Sequence, residues 1–496
     1  MKEHPVMPGI QVKSEEFPAV IPNKERIPVL PFNEDPAGKL VDFCVNTSFE
    51  DLPADLVERA KQAFLDVIGV IIGGTGRPPA VATAEYAKRW QSADGDGRVI
   101  VYGYKCPSPI AAVANGTFAR CLDYGDCGIV GGHLSEHMVP TLLSATNIND
   151  TPTTGKELIA AYNVGAEWGN RHHGAYNFHY HTTVMPADMG WVQSIVALAK
   201  LARLNKDQFW NAVGLQFTAT SLSTNQKNNE GTDGSRISHG FISSNGITSV
   251  LMARAGMTGV HSMYNGEAGI LRMVQWDDLF PEYLTNGLDE NDGFIKWTWN
   301  EGNKLTIKPY AACKFTHSCI YCAARIRELY NPDLSKIKNI HCIVSTSAGP
   351  VTQPTRWNPV TDGDAMFSLP YAVCHSLLHG DVQLGDFTQE EIQNPEKRAL
   401  MQKVTVEIDP ERPIFDGFTV RITMEDGTVY EYTDDGLPGS ERNPMTWDQI
   451  ESKFRKCVAF AARPLSEEKL QNIINLCKHL EDVEDINVIL DNMIAD

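Results

Sequence analysis

The sequence has no excess of positive charge, and this absence argues against two classes of partner. Its 43 Lys and Arg residues stand against 62 Asp and Glu residues, which leaves a formal net charge of −19 over 496 residues. Nucleic-acid-binding proteins usually carry a basic face, so nucleic acid is not the expected partner. Adhesion to an anionic membrane surface is disfavoured for the same reason. A small anionic substrate is still compatible with this charge, because a pocket can be locally positive on an acidic protein.

Membrane and secretion signals are lacking as well. No segment approaches the roughly 18 uninterrupted apolar residues of a membrane-spanning helix. Residues 1–31 have no basic start followed by an apolar run. This stretch is rich in proline, so we expect an irregular N-terminal arm over 1–35. The 11 cysteines are scattered and odd in number, which fits reduced thiols and predicts a cytoplasmic location.

The common cofactor and catalytic motifs are also missing. Gly73-Gly74-Thr75-Gly76 follows a predicted helix and lacks the Gly-Lys-Ser/Thr ending of a phosphate-binding loop. The chain contains no Rossmann fingerprint, no Gly-x-Ser-x-Gly elbow and no His-Glu-x-x-His motif. Cys319 and Cys322 form a lone pair, which predicts cysteines on a helix face rather than a zinc site. The absence of the Rossmann fingerprint argues against a nicotinamide or flavin enzyme.

Apolar residues that recur every three to four positions predict that the first part of the chain is mostly helical. The clearest pattern runs over 51–74, where Asp51 or Pro53 begins the helix and Gly73-Gly74 ends it. Similar patterns cover 109–122, 155–169, 190–204, 206–218 and 239–255.

Strand signals become frequent only after about residue 305. They cover 340–347, 404–408, 418–424 and 428–432, and Asp426-Gly427 between the last two predicts a hairpin. Helical patterns lie among them over 318–330 and 367–378, and return over 447–462 and 467–480. The sequence therefore predicts a mainly α protein with an inserted α+β domain. The predicted units are the arm over 1–35, a helical domain over 36–303, the α+β domain over 304–443 and C-terminal helices over 444–496 that rejoin the helical domain.

Carboxylates and imidazoles gather in a glycine-interrupted loop after the helix predicted over 109–122. Asp123 and Asp126 are followed by His133, Glu136 and His137. Acid/base chemistry uses such mixtures, because neighbouring charges move pKa values apart. The alternative interpretation is that Asp123 and Asp126 only cap and order the loop. From the sequence alone the two interpretations have equal weight.

Four of the 14 histidines fall within ten residues, at His172, His173, His179 and His181. The His179-Tyr180-His181 spacing occurs in metal sites of amidohydrolase-type barrels. Here a helical pattern follows and no series of parallel βα units surrounds it, so a metal site is the weaker hypothesis. We expect a solvated or structural role for His172 and His173.

Two further segments carry cations. Arg236 and His239 begin a helix rich in small residues, where an N-terminus favours an anion. Alternatively, Arg236 pairs with Asp233 and His239 caps the turn. Lys308 begins a segment that ends at His317, on the border between the helical and the mixed parts, where clefts tend to form. Lys308 could bind a carboxylate there, although a surface lysine is the commoner case.

In order and spacing, motifs along nearly the whole chain resemble the MmgE/PrpD family. They are Leu52-Pro53 with Asp66-Val67-Ile68-Gly69, Gly155-Lys156-Glu157-Leu158, the loop at 122–127 with His133 and Pro140, Lys308-Pro309-Tyr310 with Thr316-His317, and Ala365-Met366-Phe367-Ser368. The resemblance implies a helical domain built from both chain ends, an α+β lid domain between them, an active site in the cleft and a homodimer.

The resemblance also implies site residues. It assigns catalysis to Asp123, His133, His181 and Lys308, and substrate binding to Cys127, Arg236, His239 and His317. His179 competes with His181 for the same role, because the match needs an insertion here. Arg236 stands where decarboxylase and dehydratase members carry a lysine.

We therefore expect a cofactor-independent lyase that decarboxylates or dehydrates a small di- or tricarboxylate, such as an aconitate- or methylcitrate-like acid. Arg236 and Lys308 would hold carboxylates. His133 or His181 would move a proton at the adjacent carbon, with Asp123 orienting the imidazole. An epimerase or isomerase would use the same residues without losing CO₂ or water. A metal-dependent hydrolase would instead use His179 and His181.

Overall fold

The computed structural model describes residues 34–128, 132–176, 190–219, 232–267, 269–271, 279–288, 297–299 and 305–496. Up to residue 299, helices dominate what is described, as the apolar periodicity predicts. They are α1 (Pro36–Asn46), α2 (Ala54–Gly74), α3 (Pro78–Lys88), α4 (Ser108–Arg120), α5 (Ser135–Ser144), α6 (Gly155–Ala175), α7 (Trp191–Leu201), α8 (Lys206–Thr218) and α9 (Gly234–Arg254). A short ribbon joins β1 (Gly97–Arg98) to β2 (Lys105–Cys106).

The chain from residue 305 onward is mixed. Its helices up to residue 443 are α10 (His317–Tyr330), α11 (Asp362–Met366), α12 (Leu369–His379), α13 (Gln389–Ile392) and α14 (Pro395–Met401). Its sheet contains β5 (Ile337–Val344), β6 (Val404–Ile408), β7 (Thr419–Met424) and β8 (Val429–Thr433). The spatial order is β6-β5-β7-β8, with β5 parallel to β6 and antiparallel to β7. The hairpin predicted at Asp426-Gly427 is confirmed, and Gly427 has a φ of 87° there.

Two predicted elements in this part begin two or three residues away from the start that the pattern indicated, and three others begin one residue away. The strand expected over 340–347 lies at Ile337–Val344, before a 3₁₀ segment at Thr346–Val351. The helix expected over 367–378 begins at Leu369, because the side chain of Ser368 accepts the backbone N–H of Tyr371 and caps it.

The C-terminal helices α15 (Trp447–Val458), α16 (Glu467–Lys478) and α17 (Asn487–Asn492) contribute apolar side chains to the same core as the first helices. Helix α15 packs closely on α2. A Cβ at Gly73 would lie 2.3 Å from the carbonyl oxygen of Cys457, and one at Gly69 would lie 3.0 Å from the ring of Phe454. These glycines therefore permit the close approach of the two helices.

A second apolar core lies beneath the four-stranded sheet, and Leu122 and Tyr124 pack into it from the helical part. The loop after α4 is therefore at the junction of the two cores. Two short strands tie it there, because β3 (Asp126–Cys127) pairs antiparallel with β4 (Thr306–Ile307).

Among the helices that the structure describes, none combines the length and the apolar character needed to cross a bilayer.

Candidate active site

Asp123 is the centre of a buried cluster of charges. It has a φ of 48°, a left-handed conformation that Asp tolerates better than most residues. Its carboxylate pairs with Arg120, and its Oδ2 lies 3.4 Å from Nζ of Lys308. Nζ of Lys308 also donates a hydrogen bond of 2.7 Å to the carbonyl oxygen of Asp123. All three side chains are at most 6% exposed, so they neutralise one another with little help from water.

Lys308 reaches Asp123 because β4 pairs with β3. The two residues are 185 positions apart in the sequence, and the register that joins Ile307 to Asp126 brings Lys308 beside the loop. The structure buries Lys308 almost completely. The alternative interpretation of Lys308 as a surface residue is therefore wrong.

His133 lies beside this cluster with its side chain 25% exposed. Its Nδ1 is 3.2 Å from the carbonyl oxygen of Asp126 and 3.4 Å from Oε2 of Glu136. A carbonyl oxygen can only accept a hydrogen bond, so this contact assigns the proton of the neutral imidazole to Nδ1. Nε2 is then the basic nitrogen, and it lies 3.9 Å from Oδ1 of Asp123.

The charges of the cluster leave the imidazole of His133 neutral and the carboxylate of Asp123 ionised. Burial and the positive charges of Arg120 and Lys308 lower the pKa of His133 well below its usual range. Burial would raise the pKa of Asp123, but the same two cations outweigh it and hold that pKa below its usual range. The site therefore contains a neutral base beside a permanent anion. An anionic ligand would raise the pKa of His133, because opposite charge favours the imidazolium form.

Glu136 and Arg120 complete the cluster. The sequence indicated Glu136 only as a member of the charged loop and did not indicate Arg120 at all. Oε1 of Glu136 accepts the backbone N–H of Gly125 at 2.8 Å, and its Oε2 lies 3.4 Å from Nη1 of Arg120. A Cβ at Gly125 would lie 2.5 Å from the Glu136 side chain, so the loop needs glycine at this point. The available signal was a Glu in the first turn of α5 and an Arg in the last turn of the Ala-rich α4.

Asp126 orders the loop, in agreement with the alternative interpretation offered for it. Its Oδ1 accepts the backbone N–H of Ser135, the first residue of α5, at 3.1 Å. The side chain is fully buried, and burial raises the pKa of Asp126 to about 7. Its backbone carbonyl is the group that fixes the tautomer of His133. Asp126 thus positions the histidine through the main chain.

Raising the pH from 5 to 8 should destabilise the wild-type protein more than the Asp126→Asn variant. The carboxyl keeps its proton to about pH 7 when folded, against a usual value of 3.8. Between these values the folded state binds more protons than the unfolded state, so the free energy of unfolding falls as the pH rises. One such group contributes at most about 1.4 kcal/mol per pH unit. Urea denaturation of both proteins at several pH values measures this, and parallel profiles would contradict it.

Helix α9 brings His239 and Arg236 towards the same region. The His239 ring stacks on His137 at 3.7 Å between centroids and lies 6.4 Å from the His133 ring. Arg236 donates from Nη1 to the carbonyl oxygen of Arg120 at 3.4 Å. It forms no ion pair with Asp233, so that alternative is wrong for this part of the described chain.

Arg236 also faces the border between the helical and the mixed parts. It lines a cavity of about 180 Å³ together with Arg77 from the start of α3 and Gly363 from α11. Within the described residues no carboxylate lies at ion-pair distance from Arg236. Its guanidinium is therefore available to a ligand.

Of the four remaining candidate residues, the structure describes two. His317 begins α10, and its Nε2 lies 3.0 Å from the carbonyl oxygen of Ala312, so it stabilises the turn before the helix. Cys127 lies in β3, where burial raises its thiol pKa to about 12 and keeps it protonated. His179 and His181 lie outside the described residues, as does the metal site hypothesised for them.

His172 and His173 are buried, so the expectation of solvation is wrong and the structural role is confirmed. Nδ1 of His172 is 2.9 Å from the hydroxyl of Tyr264, and Nδ1 of His173 is 2.7 Å from the carbonyl oxygen of Gly169. Both contacts are made within the helical core, where a polar side chain needs a partner.

A neutral base beside a buried anion and two cations is an arrangement suited to proton transfer on an anionic ligand. Two family models match the chain, the MmgE/PrpD N-terminal domain over 38–280 and the MmgE/PrpD C-terminal domain over 310–480. The chain therefore belongs to the MmgE/PrpD family.

Curated relatives agree with this assignment. The chain is 25% identical over 452 residues to cis-aconitate decarboxylase of Mus musculus, with 88% of each chain covered. It is 25% identical over 486 residues to the cis-aconitate decarboxylase-like protein oryM of Aspergillus oryzae, covering 91% of this chain and 96% of that protein. It is 26% identical over 486 residues to cis-aconitate decarboxylase of Aspergillus terreus, covering 92% and 95%. The family and these relatives define the protein as a lyase.

Proposed function

We propose that this lyase decarboxylates a small polycarboxylate of the cis-aconitate type, and that it needs no cofactor to do so. The observation that carries the proposal is the neutral His133, whose basic Nε2 lies 3.9 Å from the ionised Asp123 in a cluster with Arg120 and Lys308. The names of the relatives support the choice of substrate class.

Arg236 and Lys308 hold the carboxylates in this proposal. Lys308 donates one hydrogen bond to the carbonyl oxygen of Asp123 and forms an ion pair with its carboxylate, so its ammonium group still has donors for a ligand. Arg236, with its one backbone hydrogen bond, can take a second carboxylate through a bidentate contact. His239 stacks on His137 beside His133, and Cys127 is a protonated thiol in β3. His317 supports the segment that begins with Lys308.

The chemical step follows from the protonation states. Binding of a polyanion raises the pKa of His133, so Nε2 takes up a proton that Asp123 stabilises. The C–C bond to one carboxylate then breaks and CO₂ leaves. The electron pair stays on the substrate, delocalised over the neighbouring double bond and carboxylate. Nε2 of His133 gives its proton to that carbon, which completes the product and restores the neutral imidazole.

The domain arrangement is part of the same proposal. The mixed region over 304–443 acts as a lid on the helical region over 36–303 and 444–496. The arm expected over 1–35 lies outside the described residues up to residue 33. The two separate apolar cores, with the loop at 122–127 at their junction, support this division. Closure of the lid would exclude water and strengthen the electrostatic contacts in the cleft.

The homodimer and the cytoplasmic location stay predictions. All 11 cysteines lie in the described part of the chain as free, buried thiols, which is compatible with a reducing compartment.

A panel of di- and tricarboxylates tests the proposed reaction. We expect the purified protein to release CO₂ from cis-aconitate-type acids, so that the product has one carboxylate fewer than the substrate. Loss of water without CO₂ would indicate a dehydratase, and solvent deuterium in unconsumed substrate would indicate an epimerase. Stoichiometric zinc or manganese in protein purified without chelator would support the hydrolase that uses His179 and His181. Absence of turnover on every carboxylate would contradict the proposal.

A further inference from the structure

Lys314 is a buried cation for which the structure describes no anionic partner. The residue is 4% exposed, and no described side chain or carbonyl group forms a hydrogen bond or an ion pair with its Nζ. Its Nζ lies 5.8 Å from the centroid of the Phe415 ring, which is a weak cation–π distance. An ammonium group has three donors, and leaving all of them unmet in a buried position is energetically costly.

Other buried lysines of the protein are paired. Lys308, Lys453 and Lys397 each have a carboxylate oxygen within 3.4 Å of Nζ, from Asp123, Asp66 and Glu391 respectively. Lys314 therefore differs from these lysines in having free donors. Burial of such a charge is favourable only when the charge has a partner.

The turn that carries Lys314 is held in place at several points. Cys313 donates its backbone N–H to the carbonyl oxygen of Met366 at 2.9 Å. Thr316 donates from Oγ1 to the carbonyl oxygen of Cys313 at 2.8 Å. The position of Lys314 is thus fixed by the packing of the α+β region rather than by an ion pair of its own.

Lys314 is also electrostatically connected to the candidate active site. Burial lowers the pKa of Lys314 to about 8, the positive charge of Lys308 acts in the same direction, and Asp416 and Asp434 oppose it. Lys308 lies at the start of the same segment, six residues earlier, and Cys127 lies in the strand that pairs with β4.

We propose that Lys314 binds a carboxylate of the substrate in addition to Arg236 and Lys308, of which Lys308 also holds Asp123 in place. This assignment rests on the proposed function and makes it more specific. Lys314, Arg236 and Lys308 then provide three cationic contacts. Three contacts suit a tricarboxylate better than a dicarboxylate, because a dicarboxylate would leave one cation without a partner.

Calorimetric titration with tricarballylate, a saturated tricarboxylate, tests the assignment without any turnover. We expect the wild type to bind it and Lys314→Met to bind it about 10- to 100-fold more weakly, because a charge-assisted hydrogen bond is lost. Lys314→Arg keeps the charge and should recover most of the affinity. Without ligand, Lys314→Met should raise Tm, because an apolar side chain replaces an unpaired buried ammonium.

The matched control is Lys336→Met, which changes an exposed lysine of the same region that pairs with Asp333 at 3.5 Å. It should leave the affinity for tricarballylate unchanged. Equal binding by the wild type and Lys314→Met, a lack of binding by the wild type, or a large fall in Tm for Lys314→Met would each overturn the assignment. A wild type that binds tricarballylate through Lys314 but turns over no carboxylate would refute the lyase reaction and leave the Lys314 site intact.

Discussion

Replacing His133 by alanine should lower kcat by about 10²- to 10⁴-fold, the usual contribution of one well-placed proton donor. The expectation depends on the geometry of the imidazole. The Asp126 carbonyl oxygen holds Nδ1 at 3.2 Å, which leaves Nε2 free to carry the proton. KM should change much less than kcat, because the proposal assigns carboxylate binding to cations and not to His133.

Steady-state kinetics on the best carboxylate of the panel measure the effect. His341→Ala is the matched control, since His341 lies in β5 and pairs with Glu407 at 2.9 Å, outside the candidate site. Its kcat should equal that of the wild type. A His133→Ala enzyme with wild-type turnover would show that another group moves the proton.

Replacing Asp123 by asparagine should cost both stability and activity. The carboxylate is the common partner of Arg120 and Lys308, all of them buried. Removing one member of a buried ion pair typically costs about 3–5 kcal/mol, because the other charge loses its partner. Glu136 continues to pair with Arg120, so we expect the lower end of that range.

The Asp123→Asn substitution removes the negative charge and keeps the backbone conformation. Asp123 has a φ of 48°, and asparagine accepts this left-handed conformation about as readily as aspartate. The negative charge of Asp123 raises the pKa of His133. Because His133 must be protonated to donate, removal of this charge should move the basic limb of the kcat profile to lower pH.

Urea denaturation and a kcat–pH profile check both effects. Asp426→Asn is the control, because it makes the same exchange in the exposed turn of the β7–β8 hairpin, where Asn-Gly is equally favourable. A variant Asp123→Asn with wild-type stability and an unmoved basic limb would show that this carboxylate is not central to the site.

Local patterns in the sequence predicted most of the secondary structure. The helix over 206–218 and the strand over 404–408 have the predicted bounds, since strong periodicity and clear end signals occur together there. The strands β3 and β4 have two residues each. Alternation of period two cannot be recognised over such a length, although this pairing is what joins the two halves of the site.

The sequence also indicated the loop with Asp123 and His133, because charged and imidazole side chains stand close together in it. The sequence could not indicate the contacts with distant residues that set the charge and the pKa of each side chain. Lys308 contacts a residue 185 positions away, and Lys453 reaches the Tyr124 carbonyl over 329 positions. Such contacts depend on how helices and sheet pack, and so the difference between the paired Lys308 and the unpaired Lys314 is visible only in three dimensions.

Proton NMR of cis-aconitate in D₂O tests the central claim most directly. With the wild type, we predict that the substrate disappears with release of CO₂ and that the product carries one solvent deuteron, delivered by His133 at the carbon that receives the proton. With His133→Ala, the substrate should disappear more slowly by about 100-fold or more. Unchanged substrate with the wild type, or equal rates for the two proteins, would contradict the account.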